Sequence, residues 1–366
     1  MTLRARVLCR VVDNFGDAGV CWRFVRQLAR EHGWRVRLTI DRPELLERLG
    51  AHPEREAGPG SIAVERWPGT DRDDVDVLVS AFGAEPPPAL RASLAGAPRR
   101  PLWVQLEYLS AEDWVGTHHG LASVKPHDGA VEHFYYPGYD AHTGGLLRER
   151  ELFARRDAFV GSREQREWLA RWGIDAAAGD ERIATLFCYP HAPLAECFAA
   201  LATGDRRWRM LVPQSVADEA LHAHFGTTPA PGQRLRDGAL VVQRIPFLPQ
   251  DDYDRLLWSA DLNFVRGEDS WVRAQWAARP FVWQPYRQEG DTHRVKLQAF
   301  LRRIRAPQEA DAAMYAWSGY GHWRPAWRAL ETRLDAFGER CRDWAATLGA
   351  QDDLCTRFVE FCIRRL

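Results

Sequence analysis

Short apolar runs alternate along this chain with segments whose apolar residues recur every three to four positions. The runs predict strands at Ala5–Val12, Arg35–Ile40, Val75–Ser80, Leu102–Leu106 and His133–Tyr136 in the first half. In the second half they predict strands at Ile183–Phe187, Arg209–Val212, Leu240–Ile245, Leu262–Val265 and Pro280–Trp283. Helical spacing separates them, at Val20–Glu31, Pro43–Leu49, Asp251–Ser259 and Ser270–Ala277, and continues without a strand signal from Trp323 to Leu366. Strand and helix in alternation mean βαβ units and mostly parallel sheets, here two of them. A small-residue stretch, Ala176-Ala177-Ala178-Gly179-Asp180, marks the expected junction between Arg171 and Glu181. The expected organisation is therefore a first domain over 1–175, a second over 180–345, and a terminal helix over 346–366 packing back on the first.

The sharpest local pattern follows the first strand, Val12-Asp13-Asn14-Phe15-Gly16-Asp17-Ala18-Gly19-Val20-Cys21-Trp22-Arg23. A buried strand breaks into a glycine-punctuated turn with two carboxylates before a helical pattern beginning at Ala18, so Asp13 and Asp17 stand where a parallel sheet ends. Ligands of open α/β proteins bind at that edge, and a carboxylate placed there suits a general base. Without other information, a turn former or a helix cap explains the same two residues.

A second cluster is Phe247-Leu248-Pro249-Gln250 with Tyr253, followed by the run from Leu262 into Arg266-Gly267-Glu268-Asp269-Ser270. Asp269 or Ser270 is suited to cap a helix beginning there. Backbone N–H groups at that helix start, with Arg266, would receive phosphate oxygens. Phe187 and Tyr189, in Leu186-Phe187-Cys188-Tyr189-Pro190, could stack on a planar base, with Gln250 hydrogen-bonding its edge. One domain would hold a nucleotide, the other would present a carboxylate, and the chemistry would occur in the cleft between them.

Composition narrows this picture. The 366 residues exceed what one core normally supports, and 46% hydrophobic content with 16 tryptophans fills two. A net charge of −1 gives no global reason to bind nucleic acid or a membrane. No apolar window is long enough to span a bilayer, and the N-terminus has no apolar leader core. The seven cysteines have no CxxC pair and no regular spacing, against a disulfide framework or structural zinc, and are expected to be buried in a reducing, cytoplasmic compartment. His118, His119, His127 and His133 lie near Glu112, Asp113, Asp128 and Glu132, but their spacing matches no zinc pattern.

The two long motifs, with the Phe-Cys-Tyr-Pro and Phe-Leu-Pro-Gln segments in the same order, resemble the bacterial protein-arginine rhamnosyltransferases that mature translation elongation factor P, the EarP family, over essentially the full chain. The resemblance implies a GT-B glycosyltransferase fold, two Rossmann-like domains facing each other across a cleft. It implies inverting transfer of L-rhamnose from dTDP-β-L-rhamnose to an arginine of elongation factor P, with no metal or other cofactor. It also implies roles: Asp17 as base with Asp13 beside it, and Glu268 essential near the donor. Asn14, Phe15, Gly16, Phe187, Tyr189, Phe247, Gln250, Arg266, Asp269 and Ser270 would bind dTDP-rhamnose. Two other readings of the residues compete, a GT-B enzyme with a small-molecule or lipid-linked acceptor and a non-enzymatic nucleotide-binding regulator. The absence of GxGxxG after the first strand counts against a dinucleotide site.

Overall fold

In this computed structural model residues 2–366 are described, apart from 14, 57, 71–73, 172 and 175–180. Asn14 and the small-residue stretch 176–180 therefore lie outside the described residues. The chain divides into two compact units, Met1–Arg150 with Leu348–Leu366, and Glu151–Thr347.

The first unit runs β1 (Arg4–Cys9), α1 (Phe15–His32), β2 (Arg35–Ile40), α2 (Glu44–Arg48), β3 (Ser61–Arg66), β4 (Val77–Ala81), α3 (Pro88–Ala95), β5 (Leu102–Leu106), α4 (Val115–His118), β6 (Ala122–Val124) and β7 (Val131–Tyr135). Its seven strands lie in the order β3-β2-β1-β4-β5-β7-β6, parallel except for β6, which runs antiparallel to β7. Val7, Leu8 and Cys9 of β1 and Val79 of β4 are fully buried, as strands covered on both faces must be. β1 ends at Cys9 rather than Val12. Its neighbours β2 and β4 end level with it, at the pairs Cys9↔Ile40 and Cys9↔Ala81. Beyond that point Val11 N–H bonds to Asp41 Oδ1 (3.1 Å) and Val12 is 65% exposed. The apolar run outlasts the ladder. β3 was not foreseen because its residues alternate polar and apolar at a sheet edge, between Gly60 and Trp67.

The second unit runs α5 (Leu152–Phe159), α6 (Arg163–Arg171), β8 (Glu181–Leu186), α7 (Leu194–Ala202), β9 (Arg207–Pro213), α8 (Asp218–Phe225), β10 (Arg234–Asp237), β11 (Leu240–Ile245), α9 (Gln250–Ser259), β12 (Leu262–Arg266), α10 (Asp269–Ala277), β13 (Phe281–Gln284), α11 (Thr292–Ile304), α12 (Gln308–Trp317) and α13 (Trp323–Gly349). Its six strands lie in the order β10-β11-β9-β8-β12-β13, parallel except for the hairpin partner β10. The boundary at Arg150 lies well before the expected junction near 175. Side chains of α5 and α6 are committed to this unit: Arg156 Nη1 donates to Trp276 C=O (2.7 Å), and buried Trp168 Nε1 donates to Asp252 Oδ1 (2.8 Å).

The last helix, α14 (Leu354–Ile363), belongs to the first unit. Phe358 packs edge-on against Phe24 of α1 (5.0 Å), and Asp353 caps α14 while accepting Gln27 Nε2 at 2.9 Å. α1 is therefore covered on both sides, which explains why Trp22, Arg23 and Phe24 are consecutively buried. All seven cysteines are free and buried. Among the described residues no helix is long and apolar enough to cross a membrane.

Candidate functional site

In the first unit the carboxylates follow from the chain reversal between β1 and α1. Gly16 N–H bonds to Asp13 C=O at 2.7 Å, closing the turn, and a Cβ at Gly16 would stand 3.0 Å from Asp13 Oδ2. That close approach favours glycine. The helix starts at Phe15, earlier than Ala18, so Asp17 lies in its first turn rather than in the loop. A helix N-terminus favours a carboxylate, and the preceding loop wraps onto this one: Asp17 Oδ2 accepts the N–H groups of Val12 (2.7 Å) and Asp13 (2.9 Å). Its other oxygen, Oδ1, accepts the Tyr108 hydroxyl at 3.2 Å.

Burial, the dominant influence, raises the Asp17 pKa above its ordinary value, and the nearby charge of Asp13 adds to this. The Asp13 and Val12 N–H groups and the Tyr108 hydroxyl act the other way. The result is an oriented carboxylate that is more basic than one in water, as a general base working near neutrality requires.

Tyr108 was not picked out from the sequence, although its place just past β5 is the signal that could have found it. It stacks on Phe82 with ring centroids 4.3 Å apart. Phe82 follows β4 with φ of 56°, in the left-handed region a bulky residue rarely adopts.

In the second unit the ends of β8 and β12 and the starts of α9 and α10 meet around Arg266. Its guanidinium lies 4.4 Å from the Phe187 ring centre and 4.7 Å from that of Tyr189, while Nη1 donates to Cys188 C=O at 3.0 Å. The two aromatics expected to stack on a base thus also hold this arginine. Gly267 turns the chain with φ of 62°, and Trp283 Nε1 donates to its carbonyl at 2.8 Å. Glu268, not Asp269 or Ser270, is the N-cap of α10, and its side chain makes no cap bond. Asp269 instead accepts Gln250 Nε2 at 3.3 Å, and Ser270 Oγ turns back to the N–H and C=O of Arg266. The positive end of α10 is accordingly left without a cap from its N-cap side chain, an anion-accepting arrangement beside Arg266.

Gln250, first residue of α9, is buried, and its Oε1 has no hydrogen-bond partner. Phe247 stands half-buried two residues before Pro249, the N-cap of α9. Tyr253, edge-on to Phe187 at 5.9 Å, has its phenol pKa pushed up by burial.

Two of the four histidines have other work. His119 Nδ1 accepts Tyr136 N–H at 3.1 Å, and burial lowers its pKa to about 4. His118 Nδ1 lies 2.9 Å from the Trp114 carbonyl. Among the described residues no group of three or more His, Cys, Asp or Glu is placed to hold a metal.

A family model described as "Elongation-Factor P (EF-P) rhamnosyltransferase EarP" matches residues 5–363. A "Protein-arginine rhamnosyltransferase" of Pseudomonas putida is 42% identical over 97% of each chain, and one of Pseudomonas aeruginosa 41% identical over 97% of each. A solved structure published as "Structural basis for EarP-mediated arginine glycosylation of translation elongation factor EF-P" covers both chains fully, with TM-score 0.71 and 32% identity. MurG of Acinetobacter baumannii also covers both chains fully, with TM-score 0.52 and 14% identity, a likeness of fold alone. The fold is that of the GT-B glycosyltransferases, with two Rossmann-like units.

Proposed function

Because the chain belongs to the EarP family, enzymes that transfer rhamnose to arginine, we propose that its donor is dTDP-β-L-rhamnose, that transfer inverts the anomeric centre, and that the acceptor is one arginine of elongation factor P, in the cytoplasm. The observation that carries the chemistry is the buried Asp17 carboxylate, oriented by two backbone N–H groups and Tyr108 and made more basic by its surroundings.

A guanidinium, with a pKa of roughly 12.5–13.8, is a poor nucleophile because its lone pairs are delocalised. Asp17 would accept a hydrogen bond from it, aim one terminal nitrogen at the anomeric carbon, and take the proton as the carbon–nitrogen bond forms. Attack opposite the leaving diphosphate gives inversion. A positioned base contributes about 10²–10⁴ in rate, so the remainder must come from orientation and from stabilising the departing diphosphate.

The second unit supplies groups for that task. Arg266 and the start of α10 would take the diphosphate charge, so that no metal is required. Gln250 Oε1, with Phe187, Tyr189 and Phe247, would meet the thymine, while Asp269 and Ser270 hold the loop and Glu268 stands near the sugar. In the first unit Asp13 would support the base, and Asn14, Phe15 and Gly16 would complete the donor's surroundings.

Intact-mass measurement of elongation factor P, after incubation with the enzyme and dTDP-β-L-rhamnose in the presence of a chelator, tests the reading as a whole. One deoxyhexose increment lost on substitution of a single arginine is expected. An unmodified acceptor would refute it.

A further inference from the structure

The first unit has a concavity at the sheet edge opposite Asp17. A cavity of about 300 Å³ opens where β5 and β7 begin, beside the last turn of α3, whereas Asp17 and Tyr108 follow the ends of β1 and β5. Its floor is apolar: Leu78, Leu94 and Trp103 line it and belong to one buried cluster. Its walls are cationic, with Arg91, Arg99, Arg100 and Arg365 set against the single carboxylate side chain of Asp128.

That carboxylate is already engaged. Asp128 Oδ2 accepts Arg91 Nε at 2.7 Å and its Oδ1 accepts Ala130 N–H at 3.0 Å, while the Arg91 guanidinium holds its pKa down to about 2. Its backbone carbonyl takes Arg100 Nη1 at 3.0 Å, and Arg99 Nη2 reaches the main-chain oxygen of Leu366, which also borders the cavity. Among the side chains that line the cavity, cations thus outnumber anions, while Glu85, outside the lining, also lies 3.8 Å from Arg91 Nη1. Arg91 lies over the Trp103 ring (5.5 Å), and its Nη2 is buried without a hydrogen-bond partner. A buried donor left unsatisfied is uncommon.

We propose that this cavity binds a small amphipathic anion, a carboxylate or phosphomonoester on an apolar body of about one ring. Guanidinium forks match both headgroups, and the leucine floor takes the body. The volume lies at the small end of ligand sites.

Isothermal titration of the full chain with benzoate and with phenyl phosphate separates the two headgroups, and inorganic phosphate is the probe without a body. At least one aromatic anion should bind with one-to-one stoichiometry, about tenfold or more tighter than inorganic phosphate. Ala95→Trp, which fills the mouth from an exposed position, and Arg99→Glu should each weaken it by about tenfold or more. Both positions are on the surface, and thermal melts matching the parent show that the variants fold. The proposal is overturned if neither aromatic anion binds, if inorganic phosphate binds as tightly, or if both variants retain the parent's affinity. The last outcome would assign the heat to the phosphate seat in the second unit.

Discussion

The Tyr108 hydroxyl donates to Asp17 Oδ1 at 3.2 Å while its ring lies flat on Phe82. The phenol fixes one oxygen of the carboxylate, and the Val12 and Asp13 N–H groups fix the other. Tyr108→Phe keeps the stack and removes only the hydroxyl. Its hydrogen bond lowers the Asp17 pKa, so the variant's base should protonate at a higher pH. A hydrogen bond to a charged group is worth about 1.5–3 kcal/mol, so transfer should fall by roughly tenfold or more. A pH profile of kcat/KM checks this: the acid limb should move to higher pH, and an unmoved limb would separate Tyr108 from the base.

Asp17→Asn should cost about 10²–10⁴ in kcat, the typical contribution of a positioned base. It should not lower stability at neutral pH. Because the folded state raises the Asp17 pKa, folding binds an extra proton between the unfolded and folded values, and the parent loses stability as pH rises through that window. The neutral amide escapes that loss and can still accept the Val12 and Asp13 N–H groups. Urea midpoints should therefore favour the variant at neutral pH, with the advantage disappearing below the ordinary aspartate pKa. A variant destabilised at neutral pH would mean that the carboxylate is held mainly for structure.

How far the sequence went can be read from these same residues. Asp13 and Asp17 were legible because a strand, a glycine turn and a helix leave a local signature. The parallel strands other than β3 were legible because buried strands are short apolar runs. Tyr108 was not, since its bond to Asp17 spans ninety-one positions and depends on β1 and β5 flanking β4. The α10 cap was misread for a different reason: Asp269 and Ser270 have capping chemistry, but Gln250 and the Arg266 backbone engage them instead. The unit boundary was missed because α5 and α6 carry no compositional break. Their allegiance is set by tertiary contacts such as Trp168 to Asp252.

Arg266→Lys should separate donor binding from folding. Lysine keeps the charge but not the flat plate held against Phe187 and Tyr189, nor the fork that reaches Cys188 C=O. Cation–π contacts are worth about 0.5–2 kcal/mol each. The KM for dTDP-β-L-rhamnose should consequently rise by about tenfold to a hundredfold, while the thermal midpoint changes little. Titration with dTDP and a melting curve on the same sample check both halves. Unchanged dTDP affinity would remove Arg266 from the diphosphate seat.

A buried ion pair joins α9 and α10, the helices whose first residues, Gln250 and Asp269, belong to the proposed nucleotide seat. Asp254 takes Arg273 through both carboxylate oxygens, Nε to Oδ1 at 2.9 Å and Nη2 to Oδ2 at 2.6 Å, with each side chain 2% exposed. The pair lies one turn beyond Gln250 and Asp269, so it sets the register of the two helices that carry them. Removing one partner of such a pair leaves an uncompensated buried charge and costs about 3–5 kcal/mol, whereas an apolar pair of similar volume is often neutral. Arg273→Met should therefore destabilise severely, and adding Asp254→Leu should restore most of the loss in a urea titration. If the pair also positions the seat, the rescued double variant will fold yet bind dTDP more weakly than the parent. Full recovery of dTDP affinity would confine the ion pair to stability.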